Sequence, residues 1–121
     1  VSARRDLTEA LIATGIPFHG QGDFARWARI LGAVAPQVAG IRRYGAASLD
    51  LAWVAAGRFD GYWEADLQPW DVAAGMLLVR EAGGFVTDFR GGEKALERSE
   101  FLAGNDAIHS KLHKLVAGAL R

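Results

Sequence analysis

Between Ala10 and Leu120, short apolar runs closed by Gly or Pro alternate with longer segments whose apolar residues recur every three or four positions. A compact apolar run suits a buried strand, whereas a recurrence near 3.6 residues suits a helix. This alternation is the tightest constraint on what the chain can fold into. Successive parallel strands need a long connection between them, and helices that supply it come to lie on the faces of the sheet.

Residues 10–16 read as a buried strand ended by Gly15 and Pro17. Residues 21–39 carry Phe24, Trp27, Ala28, Leu31 and Val38 near helical spacing, with Arg26 and Arg29 facing away. A brief strand over residues 41–44 follows. The next helix, residues 48–56, places Leu49, Ala52, Trp53 and Ala56 on one stripe and ends at Gly57. Residues 59–64 form an aromatic strand. The helix over residues 70–82 is apolar almost all round, which predicts cover on most sides, and Gly83-Gly84 stops it. Residues 85–87 and 101–104 give two more strands, with a polar loop at Gly91-Gly92. Asp106 is expected to cap a last helix whose Ile108, Leu112, Leu115, Val116 and Ala119 share a face. The order β, α, β, α, β, α, β, β, α specifies a three-layer α/β/α sandwich around a mainly parallel mixed sheet, in a single domain over residues 1–121.

Charge excludes some functions. Lys plus Arg and Asp plus Glu both number 14, so no global excess favours a nucleic acid or a membrane surface. The chain has no cysteine, which removes disulfides and thiolate metal sites. No apolar run approaches the roughly 20 residues of a membrane span. A cytoplasmic protein is the expectation. The chain opens on Val1-Ser2-Ala3-Arg4-Arg5 without an initiator Met, as a piece of something longer would.

The segment from Glu64 to Gly75 concentrates the chemistry. Glu64 and Asp71 stand at either end of a loop that leaves a strand and enters a helix at Pro69. Proline suits a first helical position, where its missing N–H costs nothing, so Asp71 falls in the first turn. An anion is stabilised there by free amides and the positive end of the helix dipole. A carboxylate beside such amides can hold a cation while the amides take phosphate oxygens; an acid that only satisfies those amides would look the same. Glu64 read alone is also a solvated acid at a strand end, and Asp60 and Asp66 read as turn residues. Gly45-Ala46-Ala47-Ser48, between a strand and a helix, lets backbone N–H groups approach a ligand or lets the helix pack close. Arg42-Arg43 beside it can balance an anion or lie solvated. His109 and His113 are four apart on the last helix, a metal-binding spacing without a third ligand. Trp27, Trp53, Trp63 and Trp70 read as core or interface anchors, since no basic groove accompanies them.

Trp70-Asp71-Val72-Ala73-Ala74-Gly75 resembles the C-terminal signature of the inositol monophosphatase family. The likeness extends to Ala10 through Phe18, Gly45 through Ala52, Val54 through Glu64 and Val79 through Gly84, in the family's order. It spans essentially the whole chain but only the C-terminal portion of such an enzyme. The resemblance implies Mg²⁺-dependent hydrolysis of a small-molecule phosphate monoester, usually inositol 1-phosphate, in a protein that is a homodimer. It makes Asp71 a metal ligand and Glu64 the acceptor of sugar-like hydroxyls, with the backbone of Gly45, Ala46 and Ala47 approaching phosphate and ring.

Two departures from the family pattern qualify these expectations. The other metal-binding acids belong to an Asp-Pro-Ile/Leu-Asp-Gly-Thr type motif and an upstream Glu, and neither occurs here. This polypeptide alone is therefore expected to be silent. Many members carry Ser or Thr where this chain has Ala46, so a hydroxyl that helps orient the attacking water is missing. Histidinol phosphate, fructose 1,6-bisphosphate or a 3′-phosphonucleotide are rival substrates, and a partner-binding or dimerisation module is the rival from another class.

Overall fold

The computed structural model describes residues 1–121. Five strands form one sheet: β1 (Leu11–Thr14), β2 (Gly40–Arg42), β3 (Gly61–Ala65), β4 (Phe85–Thr87) and β5 (Glu100–Gly104), in the spatial order β2-β1-β3-β5-β4. The helices are α1 (Phe24–Val34), α2 (Ala47–Ala55), α3 (Pro69–Glu81), the short α4 (Ala95–Arg98) and α5 (Asp106–Ala119). β1 pairs in parallel with both β2 and β3, and β5 runs antiparallel to β3 on one side and β4 on the other. Four strands thus share one direction and β5 alone opposes them. The sheet is mixed and mainly parallel.

Side chains alternate across a strand, so each strand feeds two cores. On one face, Leu51 and Val54 of α2 and Val72, Met76 and Val79 of α3 pack with Tyr62, Phe101 and Ala103. On the other, Ile30 and Val34 of α1 and Ile108, Leu112 and Val116 of α5 pack with Ile12, Trp63 and Leu102. Helices therefore cover both faces in the three-layer arrangement. Within β3, Tyr62 enters the first core and Trp63 the second. The same alternation returns Glu64 to the side of Tyr62.

Several local expectations need correction. In α2 the buried positions are Asp50, Leu51 and Val54, while Leu49 is exposed. Nearly every α2 residue is apolar, so periodicity could not choose the inward face; packing against α3 does. Arg26 does not face away: it is half-buried and pairs with Glu100 at 2.9 Å and Asp66 at 3.6 Å. Asn105, not Asp106, caps α5, its side chain accepting the Ile108 N–H at 2.8 Å. α3 is not covered on most sides: Trp70 is 78% and Leu77 60% exposed, and Leu78 is also exposed. Trp63 is a core anchor, and Trp27 and Trp53 are half-buried. Asp60 does more than turn the chain, accepting the Leu11 N–H at 2.7 Å from a buried position.

Candidate active site

Ligands of open α/β sheets settle at the carboxyl ends of parallel strands, where chain direction also brings helix N-termini. β1, β2 and β3 end together here. Gly15 follows β1, Arg43 follows β2, and Glu64 lies near the end of β3; α2 and α3 begin beside them. The result is an open cleft. Gly15, Arg43, Gly45, Ala46, Ala47, Glu64 and Asp71 all line it, with Ile16, Ser48 and Leu67. Every residue assigned a site role from the sequence therefore meets the others in one place.

Each wall has a local cause. Gly45 has φ +80°, a left-handed conformation that favours glycine, and it turns the chain from β2 into α2. Ala46 is the N-cap of α2 and gives no side-chain hydrogen bond. The first amides of α2 are thus left without a capping side chain, and an anion can use them. Asp71 sits in the first turn of α3 as expected from Pro69. It is exposed to the cleft, and one oxygen accepts the Gln68 N–H at 3.3 Å, which leaves its other lone pairs free. A helix-start role and a ligand role are compatible in this geometry.

Electrostatics single out Glu64 and one further group, Asp50. Burial, opposed by the hydroxyl donated from Tyr62, pushes the Glu64 carboxyl up to about 7. Burial likewise pushes Asp50 up to about 6, against the pull of Arg43. Asp50 is fully buried and neither carboxyl oxygen has a hydrogen-bond partner. Sequence reasoning passed over Asp50, because an acid within an apolar helical segment gives no spacing signal. The Arg43 guanidinium lies 5.0 Å from the centroid of the Phe18 ring at the cleft side of β2.

The donors facing the cleft are oxygens, which suit Mg²⁺. No group of three or more His, Cys, Asp or Glu side chains is arranged to enclose a metal ion. Asp71 thus fits one corner of a metal cage and not a whole one. His109 is engaged elsewhere, its Nε2 2.7 Å from Thr87 Oγ1, with its basicity lowered by burial and by His113. It is no part of the cleft.

A mainly parallel α/β layer with carboxylate oxygens and uncapped helix amides at its strand ends can hold a cation and an anion side by side. The inositol monophosphatase family profile matches residues 1–121. An inositol-1-monophosphatase of Rhizobium meliloti is 53% identical over 116 residues, covering 96% of this chain and 44% of the relative. The Nus factor SuhB of Pseudomonas aeruginosa is 50% identical over 107 residues, covering 87% of this chain and 40% of the relative. The crystal structure of the extragenic suppressor protein suhB from Bartonella henselae superposes with a TM-score of 0.91 at 51% identity, covering 96% of this chain and 44% of that one. The chain belongs to the inositol monophosphatase family. It spans less than half the length of these relatives.

No helix is long and apolar enough to cross a membrane.

Proposed function

We propose that this chain is the C-terminal part of a cytoplasmic, homodimeric Mg²⁺-dependent hydrolase of inositol 1-phosphate or a related polyol phosphate. The observation that carries the reading is the convergence of Glu64, Asp71 and Gly45-Ala46-Ala47 on one cleft. Asp71 offers a carboxylate oxygen to a divalent cation. Glu64, when ionised, accepts hydrogen bonds from substrate hydroxyls, and its place beside the phosphate-facing amides sets the distance between hydroxyl and phosphate. The uncapped amides at the start of α2 take phosphate oxygens. Paired Mg²⁺ ions, when bound, supply charge neutralisation and an activated water. One aspartate cannot gather two such ions, so the remaining acids belong to other sequence of the full-length protein and this chain alone is inactive. Ala46 offers no hydroxyl to steer the water, a task left to other groups.

The test is phosphate release by the full-length protein with inositol 1-phosphate, with and without Mg²⁺. Asp71→Asn is expected to lower turnover by about a hundredfold or more, the scale on which lost transition-state charge stabilisation acts. Undiminished Mg²⁺-dependent turnover in that variant defeats the assignment. A panel with histidinol phosphate, fructose 1,6-bisphosphate and a 3′-phosphonucleotide separates the substrate alternatives.

A non-catalytic reading is favoured by one observation: relatives at 48% and 50% identity carry the name Nus factor SuhB. In that reading the exposed Trp70 and Leu77 of α3 dock a protein partner. Tight partner binding by an unsubstituted full-length protein that releases no phosphate, unchanged by Asp71→Asn, would favour it.

A further inference from the structure

We propose that Gly15 and Tyr62 are positioning residues that fix the Glu64 carboxylate in the cleft, Gly15 by leaving its space and Tyr62 by donating to it. The inference rests on the reading of Glu64 as the hydroxyl-binding acid and goes beyond it.

Gly15 follows directly on Thr14, which pairs with Trp63, so it lies beside Glu64 across the β1–β3 ladder. A Cβ built on Gly15 falls within the Glu64 carboxyl group. Gly15 is not among the glycines with a positive φ, so its backbone makes no demand for glycine. What requires a missing side chain is the room that the carboxyl occupies. The obstruction is the far end of a flexible side chain, so an added methyl displaces the carboxyl instead of breaking the sheet.

Tyr62 supplies the donor from two residues earlier on the same strand. Its ring is fully buried in the core between the sheet and helices α2 and α3. Its hydroxyl donates to Glu64 Oε1 at 2.5 Å. The charges around Glu64 cannot do this work: Asp50 and Asp71 repel its carboxylate, and Arg43 alone attracts it. The space left by Gly15 and the short donor from Tyr62 together define a single place for the acceptor. Fixing an acceptor before ligand arrives is what converts a nearby carboxylate into a selective one.

Two variants of the full-length protein test the clamp, Gly15→Ala and Tyr62→Phe. Each is expected to lower the kcat/KM preference for inositol 1-phosphate over p-nitrophenyl phosphate, which lacks hydroxyls, by about tenfold, mainly through KM. A carboxyl-specific NMR titration of metal-free protein gives a readout that general damage would not produce. Gly15→Ala pushes the Glu64 carboxyl from its recess toward water and lowers its titration point. Tyr62→Phe removes a donor to the charged form and raises it. Opposite shifts support the clamp. An unchanged titration in Gly15→Ala, or shifts of the same sign in both variants, overturns it. Opposite shifts combined with full hydroxyl preference in Glu64→Gln would uphold the clamp and refute the substrate role of Glu64.

Discussion

Asp50 and Glu64 hold their protons more tightly in the folded protein than in the unfolded chain, with titration points raised to about 6 and about 7 by burial. The unfolded chain then loses these protons first as pH rises. Their contribution to stability is complete below about pH 4, where both states are protonated, and declines as pH climbs through about 6 to 7. The two acids contribute comparably, since each is raised by roughly two units, and Asp50 is fully buried without a hydrogen-bond partner. Thermal melting at a series of pH values is expected to show stability falling from pH 4 to 7. Asp50→Asn should remove much of that slope and stabilise the protein at neutral pH by about 2–3 kcal/mol, the equivalent of a two-unit shift. A melting temperature that is no higher in the variant at pH 7 contradicts this. At this scale the legible residues were those with a positional signal. Pro69 announced the helix start and so placed Asp71, whereas Asp50 lies within an apolar segment where nothing marks the inward face.

Strands and helices were legible where composition and punctuation agreed. Gly83-Gly84 stops α3, and Gly57, with φ +79°, lies just beyond the end of α2. Two features escaped. α4, over Ala95–Arg98, is a single turn and too short for periodicity to register. The insertion of β5 between β3 and β4 is a matter of pairing, which no local pattern encodes. The inward face of α2 is fixed by contact with α3, where a Cβ on Gly75 would approach Leu51 Cβ to 2.6 Å. Gly75→Val is therefore expected to destabilise the protein by about 1–3 kcal/mol, the usual cost of overpacking. Chemical denaturation measures it. A neutral result would mean that α2 and α3 can separate freely.

At the scale of the molecule, Trp70, Leu77 and Leu78 leave an apolar strip of α3 in water, and Phe85 of the edge strand β4 is also exposed. The continuous apolar composition of α3 was visible in the sequence; which part stays bare depends on what stands beside the domain. The strip belongs to a chain that covers 44% of a relative's length. Contiguous exposed apolar surface favours association. Sedimentation velocity of the 121-residue chain is expected to show concentration-dependent self-association, and Trp70→Ser with Leu77→Lys to reduce it. A monomer at all concentrations would remove the strip as a cause of association. The close seat of Leu51 on Gly75 has a further consequence for motion. Both helices begin at the cleft, so they form one stiff jaw, and the wall carrying the uncapped amides cannot swing apart from the wall carrying Asp71. Any opening that admits a molecule or lets one leave must be hinged elsewhere.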